Sequence, residues 1–248
     1  MGKTDNVYIK KARKKKRIKK AIFVIFILTA VMLAVIYKTD IFMIRNVKVK
    51  GDILVSGDYI NEAVENFKGE NLFFLSTNDI KRELQRNPYI KSIVVRKRFP
   101  STIELEISES KGLYYVNDGD DNNIVSKDCI ILEKTNDIKN NNLIQLIGVN
   151  INDKTLGDVI VDDSRIKELL DELYRQQQVI KDNGENFLIT RIDVSDMASI
   201  KVYIGDIYVL LGNDDNVRKK MSDAINIYKT GLVKEYINVS FEGTPDFK

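Results

Sequence analysis

The sequence predicts an α+β protein: a single transmembrane helix, then a β-α-α-β-β module, then a second β-rich α+β module. Three observations carry this reading. An uncharged apolar run near the N-terminus has the length of a spanning helix. Residues 41–110 switch between period-two and helical apolar patterns. The remaining residues are short alternating apolar runs, split by turn residues and interrupted by two amphipathic helical stretches.

The apolar run AIFVIFILTAVMLAVIY fills 21–37, 17 residues without a charge, and makes about 25 Å of helix. Tyr37 and Lys38 extend the span to 21–38 by reaching toward the headgroups. Residues 1–20 hold ten basic side chains and one acid, a net +9. With +3 overall, the remainder carries −6. This asymmetry keeps 1–20 in the cytoplasm as a basic tail and puts the bulk of the chain outside. No small-x-small site follows Ala34, so the segment reads as a retained anchor rather than a cleaved leader. The lysines read as topology determinants with loose attraction to anionic headgroups, and no specific nucleic acid is expected.

In the first module, Val47 and Val49 alternate with Lys48 and Lys50 in a strand ended by Gly51. Ser56 caps a helix with Ile60, Ala63, Val64 and Phe67 on one face, stopped at Gly69. Ser76 and Asp79 have capping-box spacing for a second helix carrying Ile80 and Leu84, closed by Pro88. Ile93 and Val95 lie on one face of a strand and Arg96 and Arg98 on the other. After the Phe99-Pro100-Ser101 turn, Ile103, Leu105 and Ile107 alternate with Thr102, Glu104 and Glu106. If these two strands pair, the arginines and glutamates become opposite-charge neighbours on the wet face.

The second module, 111–241, starts with LYYV at 113–116, then IVSK and CIIL around 124–132, with DGDDNN (118–123) as the loop between the first two. LIQLIGVNI at 143–151 is a third apolar stretch. Asp162 or Asp163 caps a helix with Ile166, Leu169, Leu170 and Leu173, ended by Asn183-Gly184. FLITRIDV follows, then IKVYI and IYVLL about the compact Gly205-Asp206 turn. The last helix carries Val217, Met221, Ala224, Ile225 and Tyr228, with Gly231 after it. YINVSF is the final strand, Ile237, Val239 and Phe241 on one side, and 242–248 a short tail.

Composition removes whole classes of chemistry. No histidine is present, which excludes Ser–His–Asp triads and histidine metal ligands. The single Cys129 permits no internal disulfide and reads as a small buried hydrophobe. DGDDNN lacks the glycine spacing and closing Glu of a calcium loop, so no metal is expected. Ser164-x-x-Lys167, Ser108-x-x-Lys111 and Lys229-Thr230-Gly231 echo penicillin-binding transpeptidases. No S-D-N element lies between them, the 61 residues from Lys167 to Lys229 are too few for that fold, and KTG falls at a helix end. Helix-terminus roles for Ser164 and Gly231 account for both, and neither a catalytic residue nor a cofactor is expected.

The run NPYIKSIVVRKRFPSTIELEISES, the strand ending in Gly51 just after a membrane helix, and the domain order resemble the bacterial division proteins FtsQ, called DivIB in monoderm bacteria. Pro88, Tyr89, Arg96, Pro100 and Glu109 fit the pattern of that family's POTRA domain, placed at 41–110. The resemblance implies a non-catalytic, membrane-anchored divisome scaffold concentrated at the septum. It would work with FtsL-like and DivIC/FtsB-like bitopic proteins and, through them, the septal peptidoglycan synthase. It also implies a partner site at the chain's end, where a partner adds a strand to the sheet: Tyr236, Asn238, Ser240, Phe241, Glu242 and Gly243. Arg96 and Arg98 are a second candidate docking face. Asn238 and Ser240 stand where the family has Asp and Arg, which puts a salt bridge there in doubt. The family's long unstructured tail is missing after Phe241. The alternative is a docking or chaperone module of a protein-translocation system, but that would require a β-barrel, and no strands of barrel length follow residue 111.

Overall fold

The computed structural model describes residues 4–138 and 142–248, with side chains from residue 14 onward. The side chains of the first part of the basic tail therefore lie outside the described residues. Helix α1 runs unbroken over Thr4–Lys38, through both the basic and the apolar segment. Lysine and arginine are good helix formers, and no glycine or proline stands between Gly2 and Gly51 to stop it. Lys14–Lys38 is long and apolar enough to cross a membrane.

The chain divides into two compact units. The first comprises the segments up to Asp52, Gly57–Leu84 and Ile93–Ile107; the second comprises Ile53–Ser56, Gln85–Ser92 and Ser108–Lys248. Two short segments that precede residue 110 thus group with the second unit.

In the first unit, β1 (Asn46–Lys50), α2 (Gly57–Glu65), α3 (Thr77–Leu84), β2 (Ile90–Arg98) and β3 (Thr102–Glu109) follow the expected β-α-α-β-β order. The sheet order is β1-β3-β2, with β1 parallel to β3 and Val47 opposite Ile103. Ile60, Ile80, Leu84, Ile103, Leu105 and Ile107 are buried, as their spacing requires. Two caps differ from expectation. Ser56 gives its hydroxyl to the Glu109 carboxylate instead of capping α2. At α3, Ser76 Oγ accepts from Asn78 N (3.2 Å), while Asp79 pairs with Arg82 rather than reaching back.

The second unit is built on a nine-stranded sheet of order β12-β11-β10-β9-β8-β7-β4-β5-β6. Its strands are β4 (Gly112–Asp118), β5 (Asp121–Ser126), β6 (Ile131–Thr135), β7 (Ile144–Ile147), β8 (Ile189–Asp193), β9 (Ile200–Ile204), β10 (Ile207–Gly212), β11 (Tyr236–Asn238) and β12 (Asp246–Phe247). Helices α4 (Ser164–Asp182) and α5 (Val217–Tyr228) carry Leu169, Leu170, Leu173, Met221 and Ala224 into one core with the inward strand residues. Asp163 caps α4 by accepting from Arg165 N (2.8 Å).

Three expectations change here. DGDDNN is not a loop: Asn117 pairs with Asn122 and Asp118 with Asp121, leaving only Gly119-Asp120 as the turn. Gly119 holds φ +63, which makes so tight a reversal cheap, and Lys134 bonds Asp118 (2.8 Å) and lies 3.5 Å from Asp121. The final strand stops at Asn238, because the Asn238 side chain accepts from both Ser240 N and Ser240 Oγ and bends the chain. Phe241 consequently leaves the inward face and is 49% exposed. Finally, the tail is not free. Residues 246–247 return as β12 and pair with β11, Ile237 opposite Phe247.

Cys129 is buried, as expected, but in a left-handed turn with φ 59 that nothing in the sequence marks. Burial pushes its thiol up to about 11. In the folded protein at pH 8 it should react with Ellman's reagent on the order of a hundredfold more slowly than in the unfolded chain. Equal rates would contradict the buried turn.

Candidate functional site

Two of the three transpeptidase-like motifs resolve into helix termini, and the third, Ser108-x-x-Lys111, runs from the end of β3 to the residue before β4. Ser164 opens α4, and Lys167 faces Asp162 at 3.5 Å. Lys229 follows α5 and pairs with Glu185 at 2.5 Å, while Gly231 takes φ +70 in the turn that ends the helix. Neither amine is placed to activate a serine, because each already faces a carboxylate.

The predicted charge ladder of the first unit is present. Arg96 bonds Glu106 (2.6 Å), Arg98 bonds Glu104 (3.1 Å), and Lys50 adds a second contact to Glu104 (3.0 Å). Hydrogen bonds from Lys50 and Arg98 hold the Glu104 carboxyl below the usual carboxylate range. The arginines are exposed on the wet face, but their charge is largely matched by their neighbours.

The end of the second unit concentrates more chemistry. The register places Tyr115, Gln145, Arg191, Tyr203, Tyr208 and Tyr236 in one row across six strands, on the face away from the core. The Arg191 guanidinium stands 4.7 Å over the Tyr203 ring. Tyr203 and Tyr208 are 6.1 Å apart, and Tyr208 stacks on Tyr236 at 5.8 Å and 25°. The Tyr236 hydroxyl donates to Asp246 Oδ2 of β12 (3.1 Å), and that bond pushes the phenol above its ordinary range. Beyond the bend, Phe241, Glu242 and Gly243 are exposed beside a polar recess of about 500 Å³ with Asn213, Lys219 and Asp223 on its wall.

The structure therefore gathers Tyr236, Asn238, Ser240, Phe241, Glu242 and Gly243 at one end of the sheet and keeps Arg96 and Arg98 on the other unit. It corrects one premise: β11 is not the edge, since β12 covers it. Sequence reasoning missed Arg191, Tyr203 and Tyr208. A two-residue Gly205-Asp206 turn already implies that Tyr203 faces Tyr208, so the hairpin register was the available signal.

A single apolar helix, a β-α-α-β-β module and a larger mixed sheet ending in a short edge define an anchored, POTRA-bearing class of protein. A family model described as POTRA domain, FtsQ-type matches residues 42–110. The cell division protein DivIB of Clostridium acetobutylicum is 34% identical over 246 residues, 98% of this chain and 97% of that protein. DivIB of Clostridium botulinum is 30% identical over 97% of this chain and 94% of its own length. The cell division protein FtsQ of Corynebacterium glutamicum is 26% identical over 111 residues, 45% of this chain and 50% of that protein. The chain belongs to the DivIB/FtsQ family of bacterial cell division proteins.

Proposed function

We propose that this chain is a non-catalytic scaffold of the divisome. Its helix α1 crosses the membrane with the basic end in the cytoplasm, and its two units work outside, at the septum. It links FtsL-like and DivIC/FtsB-like bitopic proteins to septal peptidoglycan synthesis. The observation that carries the reading is the edge itself. β12 is two residues long and exposed, on a sheet whose outer face ends in stacked tyrosines. So short an edge leaves backbone groups within reach of an added strand, and a partner can extend or displace it at low cost. Tyr236 and Phe241 supply the aromatic contact such interfaces favour.

Binding of the soluble part of a DivIC-type partner tests this. Combined Tyr236→Ala and Phe241→Ala should weaken it tenfold or more, about 1.4 kcal/mol or above, while the protein still unfolds cooperatively. Unchanged affinity in the folded variant removes these residues from the interface. The arginine face has its own test. Arg96→Glu with Arg98→Glu should cost only about 1 kcal/mol of stability, since both arginines are exposed and the mostly covered Glu104 keeps its bond to Lys50; normal septal recruitment of that variant would end the second docking site. For topology, a reporter fused after residue 120 should be active only outside the cytoplasm.

A further inference from the structure

Five apolar side chains at the start of the first unit lie in the open without an assigned role. Tyr37, Ile41, Phe73, Phe74 and Phe99 are exposed by 78, 52, 40, 63 and 53%. Four of them make ring contacts, in two groups that adjoin in the chain at Phe73-Phe74, and Ile41 directly precedes Phe42. Phe42 meets Phe73 edge-on at 4.7 Å, Phe73 meets Phe99 at 4.6 Å, and Tyr37 meets Phe74 at 5.8 Å. The surface is also fixed to the end of the spanning helix. Asn71 Nδ2 donates to Ile36 O (2.8 Å), and Leu72 N donates to Phe42 O (2.8 Å). A patch tied by direct bonds to the last turn of α1 cannot move away from the level at which α1 leaves the membrane.

We infer that this aromatic surface inserts into the headgroup–acyl boundary of the outer leaflet and seats the first unit on the bilayer. Its occupant is lipid because it is continuous with the lipid-facing surface of α1, whose Tyr37 belongs to both. Aromatic side chains are favoured at that depth, where a ring is dehydrated and its rim stays wet. The charges around it suit a headgroup layer: Lys38 ends the helix, Arg45 Nη2 reaches Asp40 O at 3.2 Å, and Lys97 Nζ lies 3.5 Å from Phe73 O. A soluble face of the same composition would be an aggregation hazard; against a bilayer the same rings are covered.

The chain has no tryptophan, so one introduced indole reports its own surroundings. Full-length Phe73→Trp and Phe99→Trp variants would be placed in phosphatidylcholine nanodiscs with and without acyl-chain bromines. Tyr37→Trp tests separately that α1 spans the disc. Val94→Trp, five residues up β2 from Phe99 and so about 16 Å away, is the distant control. Both patch variants should lose about half or more of their emission in brominated discs, as residues at the interface do, and Val94→Trp should keep its own. If Tyr37→Trp is quenched while both patch variants are not, the inference is overturned. A blue-shifted but unquenched patch means that protein, not lipid, covers it, and overturns it equally.

Discussion

Replacing Gly51 by alanine should destabilise the first unit by about 4 kcal/mol or more, an unusually large effect for one methyl group. Gly51 ends β1 at φ +131, a conformation that side chains rarely adopt. A Cβ there would lie 1.9 Å from the carbonyl oxygen of Ile107 in the neighbouring β3. The obstruction is backbone inside a parallel pair in which Lys50 already faces Glu106, so relief requires breaking the pairing itself. Gly119→Ala separates strain from crowding. Its φ is +63 and nothing lies within 4 Å of the added carbon, so it should cost only about 1 kcal/mol. Urea denaturation of both variants measures the contrast, and similar losses would show that Gly51 is not pressed against β3.

The regular parts of this fold were legible because burial imposes a period. Ile103, Leu105 and Ile107 announce β3 and its wet face, and the pairing of Arg96 with Glu106 follows from the turn at Pro100. Leu169, Leu170 and Leu173 mark α4 in the same way. Polar residues mislead where they pair with one another. DGDDNN looks like a loop by composition, yet its two asparagines extend the hairpin, one of them buried in it. Asn238 and Ser240 look like strand positions, yet their mutual hydrogen bonds end the strand. The return of 246–247 onto β11 is a two-residue event with no period to detect. The candidate site was accordingly half visible. Its residues on β11 were named from family resemblance, while its tyrosine row, beyond the Tyr203–Tyr208 pair that the hairpin turn sets, depends on register between strands distant in sequence, which no local pattern encodes.

Glu109 makes the other large case, since its role depends on a contact more than fifty residues away in sequence. At the end of β3 its carboxylate accepts from Leu54 N (2.8 Å), Val55 N (3.1 Å) and Ser56 N (2.8 Å), and from the buried Ser56 hydroxyl. Three successive amides form an anion-binding concavity, and all three would otherwise need water. Burial works to raise the Glu109 carboxyl, but the bonds from Ser56 and from the backbone of Leu54, Ser56 and Val55 outweigh it and leave it below its ordinary value. Glu109→Ala removes every acceptor at once and should cost about 2–3 kcal/mol at neutral pH. Glu109→Gln keeps one oxygen and the shape, and should cost less. The pH dependence distinguishes charge from shape. A carboxyl depressed on folding stabilises the protein above its unfolded value near pH 4.3, and that contribution disappears as pH falls through the folded value. The stability gap between the parent and Glu109→Gln should therefore be full at pH 6–7 and shrink steadily below about pH 4. A gap that stays constant from neutrality into acid would mean that the amides need only an oxygen there, and the charge of Glu109 would have no part in holding residues 54–56.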